Sequence, residues 1–259
     1  MIDRLKILNI WVDAVNREMA QEKACHFLKY GNRVYSIFAS NPEKNFSLPK
    51  DPQLLETFKN ADLLLPDGVG IVWAARILYG AKLDRVTGAE FFFDICDLAA
   101  KEKCGIFIYG AKEETNEKAT NILRKQFKDL KIAGRSNGYV SQSDMPNLLD
   151  FINKSKAKIL FLALGSPKQE KWFETYNCQL KHVRLCQCIG GSLDTIAGNV
   201  KRAPEFWQSF SLEWLYRLMM QPRRIRRQKI LPLFVLAVLK DRFTQLISDF
   251  KLKRQKAPH

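Results

Sequence analysis

The stretch Leu63-Leu64-Leu65-Pro66-Asp67-Gly68-Val69-Gly70 determines the fold that we expect for this chain. Its three leucines predict a buried strand, which should end at Pro66 because proline has no N–H to donate to a sheet. The two glycines allow a sharp turn before an apolar run, Ile71–Ala75, that predicts a helix. Asp67 would then follow the carboxyl end of a strand, where open α/β sheets bind their ligands. A carboxylate there can cap the helix or accept a proton from a substrate, and we predict the second.

The same alternation of apolar strands and helices continues on both sides of this stretch. The other strand-like runs, each followed by a helical pattern or a turn, are Val34–Phe38, Gly105–Tyr109, a short one around residues 131–133, Ile159–Leu164 and Val183–Ile189. Continuous apolar strands separated by helices predict a mostly parallel sheet with helices on both faces, an α/β fold. A first strand is predicted over Lys6–Val12, and a helix from a cap at Asn16 to a left-handed stop at Gly31. We expect this core to occupy residues 1–204.

Length and composition limit the class of protein. With 259 residues, 46% of them hydrophobic, the chain can bury the core of one large domain plus an appendage. The N-terminus is too charged for a signal peptide, and no apolar run reaches the roughly 18–20 residues of a spanning helix. The six cysteines form no C-x-x-C pair and no zinc-like spacing, so we expect reduced thiols in or near the core. These features predict a cytoplasmic protein.

Most of the positive charge lies near the C-terminus. Residues 217–259 contain 12 Lys or Arg and two Asp, a net charge of +10 out of +15 for the whole chain. Within them, the apolar run 230–239 follows five arginines and precedes Lys240 and Arg242. Such a segment is typical of one that lies in the headgroup region of an anionic bilayer, although a helix packed on the core with a solvated basic face is the alternative. We predict a basic, partly apolar helical appendage over residues 205–259, and an exposed apolar tail is compatible with a homo-oligomer.

Four predicted strand ends carry residues that could bind a substrate. The turns contain Asn41, Asp67, Gln169-Glu170 and Gly190-Gly191, and a parallel sheet would bring all four to one crevice. Turn chemistry alone explains Asn41 before its proline, whereas a turn does not require Gln169-Glu170. The glycine pair could approach a phosphate at the start of a helix, with Asp194 suited to a ribose hydroxyl or a base edge. Close packing of strand and helix explains the glycine pair equally well.

Several nucleotide and metal motifs are missing from the sequence. The dinucleotide fingerprint fails because Trp73 stands where a third glycine is expected, and neither a P-loop nor an Asp-x-Asp pair occurs. His26 and His182 are isolated, so we predict no metal site and no cofactor. A bound diphosphate would then be neutralised by arginines or helix ends, and the guanidinium group matches phosphate oxygens bidentately.

Taken together and in order, these motifs resemble those of the WecG/TagA/CpsF family of bacterial glycosyltransferases (family 26). The resemblance covers roughly Ile7 to Arg227. The motifs that carry it are Asn41-Pro42-Glu43, Pro66-Asp67-Gly68-x-Gly70, Arg85-Val86-x-Gly88, Gly165-x-Pro167-x-Gln169-Glu170, Gly190-Gly191-x-x-Asp194-x-x-Ala197-Gly198, Arg202-Ala203-Pro204, Glu213-Trp214-x-x-Arg217 and the arginines after Pro222.

This resemblance implies a Rossmann-like core of the GT-E type and an inverting, metal-independent transferase. It implies transfer of N-acetylmannosamine or its uronic acid from a UDP-sugar donor to a polyprenyl-diphosphate-linked GlcNAc acceptor, in the synthesis of bacterial cell-surface polysaccharide. It further implies a cytoplasmic enzyme that associates peripherally with the inner face of the cell membrane.

Roles for individual residues follow from the resemblance. Asp67 would be the catalytic base, and three residues would line the pocket: Asn41, Arg85 and Gln169. From the tail, the residues that would close over the pocket are Arg217, Arg224 and Arg227. One departure is Ala39, where related sequences often carry Thr, and the neighbouring Ser40 could supply a hydroxyl instead.

Three alternatives remain open on the sequence. Within the same family the donor could be a UDP-hexose. A different class, a basic nucleic-acid-binding α/β protein, fits the charge, but the apolar run beside the arginines is not suited to binding nucleic acid. A non-catalytic scaffold recruited to membranes would bind vesicles without binding UDP.

Overall fold

The computed structural model of this chain describes residues 3–199 and 230–255. The strands are β1 (Arg4–Ile7), β2 (Ile10–Asp13), β3 (Tyr35–Ser40), β4 (Leu63–Pro66), β5 (Gly105–Gly110), β6 (Lys131–Ser136), β7 (Ile159–Ala163) and β8 (Leu185–Cys188). The helices up to residue 199 are α1 (Arg17–Tyr30), α2 (Pro42–Ser47), α3 (Pro52–Lys59), α4 (Val69–Tyr79), α5 (Gly88–Lys101), α6 (Glu113–Gln126), α7 (Met145–Lys154), α8 (Lys168–Tyr176) and α9 (Ser192–Ile196). A C-terminal helix covers Ile230–Gln255.

Six parallel strands form the central sheet, in the order β4-β3-β8-β7-β5-β6. Successive side chains of a strand point to opposite faces, so Leu64 joins one apolar cluster while Leu63 and Leu65 join the other. One cluster contains buried side chains of α3, α4, α7 and α8, and the other contains those of α1, α5, α6 and α9. The predicted α/β fold with helices on both faces is confirmed, and β4 ends at Pro66 as predicted.

The prediction of a single first strand over Lys6–Val12 was wrong. This segment folds back on itself as an antiparallel hairpin, β1–β2, which forms a separate two-stranded sheet. The chain reverses at Leu8, whose φ is +54°, and the backbone N–H of Asn9 donates to Asn45 Oδ1 at 2.9 Å. No Asn-Gly or Asp-Gly pair marks this turn, so the sequence carries no hairpin signal there.

The predicted left-handed stop at Gly31 was also wrong. Asn16 does cap α1, accepting from the Met19 N–H at 2.8 Å, and the helix ends where expected, but Gly31 has an extended backbone with φ of −68°. A glycine is needed there for space instead. A Cβ on Gly31 would lie 2.2 Å from the Phe27 carbonyl oxygen and 2.6 Å from the Tyr35 ring.

The C-terminal helix packs on α2 and α4, the helices that follow β3 and the edge strand β4. Phe234 and Val238 are buried in the same apolar cluster as α4, and a Cβ on Gly70 would lie 3.6 Å from the Phe234 ring. The opposite side of the helix leaves apolar side chains exposed: Leu233, Val235, Leu236, Leu239, Phe243, Leu246 and Ile247. Among the helices of the described residues, none has an apolar stretch long enough to cross a bilayer.

Candidate active site

The turns after β3 and β4 are packed directly against each other. The backbone N–H groups of Asp67 and Gly68 both donate to the Ser40 carbonyl oxygen, each at 3.2 Å. A Cβ on Gly68 would lie 2.8 Å from Pro42 Cδ and 3.3 Å from Asn41 Cβ, so only glycine allows this approach. The structure therefore brings the Asn41 and Asp67 turns together at the carboxyl edge of the sheet.

Arg85 is held at the same turn by backbone contacts. Its Nε donates to the Asp67 carbonyl oxygen at 2.9 Å, and the next residue, Val86, donates its N–H to the Pro66 carbonyl oxygen at 3.1 Å. Asp67 and Arg85 are both half-buried. A residue with a carboxylate and a residue with a guanidinium group thus meet at one turn. Such a pair can serve a substrate that has a hydroxyl to deprotonate and phosphates to bind.

Asn41 has a structural task in addition to its predicted role. Its Oδ1 accepts the Lys44 N–H at 3.2 Å, which caps α2 directly before a proline at the first helical position. Turn and cap chemistry therefore accounts for the Asn41-Pro42 pair, and a substrate contact by the Asn41 side chain stays a prediction.

Gln169 and Glu170 are both buried, and each connects the turn after β7 by a hydrogen bond to a different turn of the same edge. Gln169 Oε1 accepts the Gly190 N–H at 3.0 Å, which joins the turns after β7 and β8. Glu170 Oε1 accepts from Lys44 Nζ at 2.6 Å, and both side chains are almost completely buried. Because Lys44 lies on α2, next to the Asn41 turn, this ion pair connects the turn after β7 to the turn after β3.

The protonation of Glu170 depends on Lys44. Burial is the largest influence and raises the pKa of this carboxyl. The charge and hydrogen bond of Lys44, with smaller help from the backbone N–H of Glu170 and from Gln169, outweigh it and lower the pKa below its usual range. Among the described residues, Glu170 Oε2 has no hydrogen-bond partner, so the pair depends on one short contact. Glu170 was predicted to bind substrate, whereas in this structure its carboxylate contacts Lys44.

Sequence reasoning did not identify Lys44. It lies in a polar stretch, Glu43-Lys44-Asn45, which on sequence alone is typical of a solvated helix surface. Only the sheet order, which places β8 between β3 and β7, brings it beside Glu170, 126 positions further along the chain. No local pattern could have indicated that pairing.

The glycine pair lies at the expected strand-to-helix junction. Gly190 has a φ of +55°, a left-handed conformation that glycine adopts without strain, and Asp194 is half-buried in the first turn of α9. Since the Gly190 N–H already donates to Gln169, a phosphate at this turn would compete with that side chain. Contacts between substrate and Gly190, Gly191 or Asp194 stay predictions.

The hydroxyl of Ser40 donates to the backbone of the N-terminal hairpin. Ser40 is fully buried, and its Oγ donates to the Trp11 carbonyl oxygen at 2.5 Å, which ties β3 to the hairpin. A substrate contact by the Ser40 hydroxyl in place of the one absent at Ala39 stays a prediction.

The tail arginines predicted to close the pocket, Arg217, Arg224 and Arg227, lie outside the described residues, as does the predicted boundary at residue 204. The described segments before and after residues 200–229 both contact elements at the carboxyl edge of the sheet. Asn199 Nδ2 donates to Thr115 Oγ1 at 2.9 Å, at the start of α6 after β5, and the C-terminal helix then packs on α2 and α4, after β3 and β4. The two ends therefore flank the carboxyl edge that carries the candidate site.

Comparison with known proteins supports the resemblance drawn from the motifs. The model of the Glycosyl transferase WecG/TagA/CpsF family matches residues 5–247. A protein of Bacillus spizizenii named N-acetylglucosaminyldiphosphoundecaprenol N-acetyl-beta-D-mannosaminyltransferase is 36% identical over 209 residues, 81% of this chain and 80% of the relative. A protein of the same name from Bacillus subtilis is 35% identical over 205 residues, 79% of each chain. The chain therefore belongs to the WecG/TagA/CpsF family of glycosyltransferases.

Proposed function

We propose that this protein transfers N-acetylmannosamine, or its uronic acid, from UDP to the GlcNAc of a polyprenyl-diphosphate-linked acceptor, with inversion and without a metal ion. The observation that carries the proposal is the packing of the Asn41 and Asp67 turns and Arg85 into one site at the carboxyl edge of the sheet. The names of the relatives supply the acceptor and the sugar.

In this mechanism Asp67 is the general base. It takes the proton of the acceptor hydroxyl as that oxygen attacks the anomeric carbon from the face opposite UDP. Arg85 and the tail arginines Arg217, Arg224 and Arg227 bind the diphosphate and stabilise the negative charge that develops on it as it leaves. Asn41, Gln169 and the Gly190–Asp194 turn complete the donor pocket.

We further propose that the C-terminal helix docks the enzyme on the inner face of the cell membrane. Its exposed side carries seven large apolar side chains, and Lys240 and Arg242 follow the most apolar part. Trp73 and Tyr79 of α4, the helix against which it packs, are also exposed. An apolar surface bordered by cations matches the headgroup region of an anionic bilayer, where the lipid-linked acceptor is found.

The experiment that tests the proposal measures transfer directly. Purified protein should move radiolabelled N-acetylmannosamine from UDP to a polyprenyl-diphosphate-linked GlcNAc analogue, and EDTA should leave the rate unchanged. UDP alone should raise the melting temperature, because a ligand that binds only the folded state stabilises it. A panel with UDP-glucose tests the UDP-hexose alternative in the same assay.

The nucleic-acid alternative makes the opposite prediction. If RNA raises the melting temperature with a steep dependence on salt while UDP and UDP-sugars do nothing, the transferase proposal is wrong. Binding to anionic vesicles without any response to UDP would instead support a non-catalytic scaffold.

Removing the predicted appendage, residues 205–259, should abolish most activity without preventing folding. We expect residues 1–204 to give a soluble, folded protein that is nearly inactive on a lipid-linked acceptor, because the central sheet and most of both apolar clusters remain while the tail arginines are lost. Circular dichroism, thermal melting and the transfer assay measure the two properties. Full activity of the truncated chain would remove the tail from the mechanism.

A further inference from the structure

Gln187 is a buried amide in the middle of the central sheet. It belongs to β8 and is 1% exposed, and the strand residues paired with it are Ile37 of β3 and Phe161 of β7. Its Nε2 donates to the Gly88 carbonyl oxygen at 3.0 Å, whereas its Oε1 has no hydrogen-bond partner within residues 3–199 and 230–255. No motif contains Gln187, and the proposed mechanism assigns nothing to it.

Stability does not explain why this amide is present. Gly88 is the first residue of α5, and in an α-helix the carbonyl oxygen of such a residue already accepts the N–H four positions further on. A buried amide oxygen without a partner lowers stability, and an apolar side chain of similar size would avoid that cost. Proteins depart from full hydrogen bonding in this way mainly at functional sites. The amide of Gln187 is therefore better explained by function.

Arg85 lies in a segment that depends on the sheet for its position. Residues 80–87, between α4 and α5, form neither helix nor strand. The Arg85 Nε donates to the Asp67 carbonyl oxygen at 2.9 Å, and the Val86 N–H donates at 3.1 Å to the last carbonyl oxygen of β4. Both contacts hold the segment to the edge strand and its turn, so its direction across the sheet depends on a second attachment.

The second attachment lies two strands further into the sheet. Gly88 follows Arg85 by three residues, and a Cβ on Gly88 would lie 3.5 Å from Ala39 Cβ, so the start of α5 packs on β3. The Gly88 carbonyl oxygen accepts from Gln187 of β8, the next strand. At about 4.8 Å per strand, residues 86–88 are thus attached to two strands that lie roughly 10 Å apart. The hydrogen bond from Gln187 therefore fixes where α5 begins over the sheet, and with it the position of Arg85.

We propose that Gln187 is a positioning residue for sugar transfer, which holds the N-terminus of α5 and, through it, the Arg85 guanidinium at the diphosphate of the donor. The inference rests on the proposed function, because it assumes that Arg85 stabilises the leaving diphosphate. Gln187 acts only through Arg85, since its own side chain is almost completely buried. A misplacement of about 1 Å can lower a rate roughly 10²-fold, so a small shift of α5 is enough for a large effect.

The first test is Gln187→Met in the full chain, which replaces the amide by an apolar side chain of similar size. The melting temperature should stay the same or rise, because the unpartnered oxygen is removed. In contrast, kcat measured with saturating UDP-sugar should fall roughly 10- to 100-fold. A side chain needed only for packing would not lower kcat while leaving stability intact.

Leu185→Met is the matched control. Leu185 is fully buried on the same strand and the same face of the sheet as Gln187, but two residues further from the carboxyl edge. The exchange of leucine for methionine conserves volume, so the core should accept it with little loss of stability. We expect this variant to transfer sugar at the unmodified rate.

A double-variant cycle with Arg85 tests the route by which Gln187 acts. If both residues serve one contact with the diphosphate, adding Gln187→Met to Arg85→Met should lower kcat by no more than about twofold, because the effects of residues that act as a unit are not additive. If Gln187→Met lowers kcat by the same factor in both backgrounds, the inference is overturned, because Gln187 then acts independently of Arg85.

The remaining outcomes separate this inference from the proposed function. If the unmodified chain transfers no sugar, the proposed function fails and the inference fails with it. If the unmodified chain is active and Gln187→Met is equally active, only the inference is overturned. The inference is also overturned if Gln187→Met melts well below the unmodified chain, because the amide is then needed for the fold itself.

Discussion

Asp67→Asn should lower the rate of sugar transfer by roughly 10²–10⁴-fold, the usual loss when a general base is removed. Asparagine has nearly the same shape as aspartate but cannot accept the proton of the acceptor hydroxyl. The turn itself should persist, because the Asp67 N–H donates to the Ser40 and Leu65 carbonyl oxygens and its own carbonyl oxygen accepts from Arg85. The loss should therefore appear in kcat, measured with saturating UDP-sugar, while the affinity for UDP stays normal.

Asp150→Asn provides the matched control for this prediction. Asp150 lies on the surface of α7 in an exposed ion pair with Lys154, so the same chemical change should leave transfer unaffected. If Asp67→Asn turns over as fast as the unmodified enzyme, the base must be sought elsewhere at this edge of the sheet. If it loses UDP binding and melts early, Asp67 has a structural role that the mechanism does not include.

The parts of the fold that depend on local patterns could be predicted from the sequence. The apolar run before Pro66 ends as a buried strand, Asn16 caps its helix, and Asp51 accepts the Leu54 N–H to start α3 with a proline at its first position. Each of these features is decided within four residues along the chain. Since parallel strands end at one edge, the strands also predicted that the Asn41, Asp67, Gln169 and Gly190 turns would share it.

What could not be predicted depends on contacts between distant segments. The hairpin turn at Leu8 is fixed in part by a hydrogen bond from Asn9 to Asn45, and no sequence pattern near Leu8 indicates this contact. Gly31 is required by the approach of Tyr35 rather than by a left-handed backbone. The rings of Tyr109 and Trp172 pack together, with centroids 5.3 Å apart, only because β5 and β7 are neighbours in the sheet.

Lys44→Met should give the largest loss of stability, about 3–5 kcal/mol of the free energy of unfolding, because it leaves the Glu170 carboxylate buried without its partner. The loss is a large fraction of the roughly 5–15 kcal/mol that stabilises a typical domain. Urea unfolding followed by circular dichroism measures it. The matched control is Lys154→Met, which breaks an ion pair of the same length, 2.6 Å, on the exposed surface of α7 and should cost less than about 1 kcal/mol.

The double variant Lys44→Met/Glu170→Gln should recover most of that stability. Glutamine fills nearly the same volume as Glu170 without a charge, so no unpaired ion remains in the core. If the double variant is as unstable as Lys44→Met, the contacts of the Lys44 ammonium with the rings of Phe38 and Phe58, whose centroids lie 5.9 and 4.6 Å from Nζ, contribute more than its pairing with Glu170. If Lys44→Met itself is as stable as the unmodified chain, the two charges do not interact as the structure indicates.

The pH dependence of the same variants tests the pairing independently. The pKa of Glu170 is lower in the folded protein than its usual value of 4.5, so its ionisation favours folding. That contribution is complete above the unfolded pKa and is lost as the pH falls through the folded pKa. The difference in unfolding free energy between the unmodified chain and the Lys44→Met/Glu170→Gln variant should therefore be constant near neutral pH. Below about pH 4.5 the unmodified chain should lose stability relative to the variant.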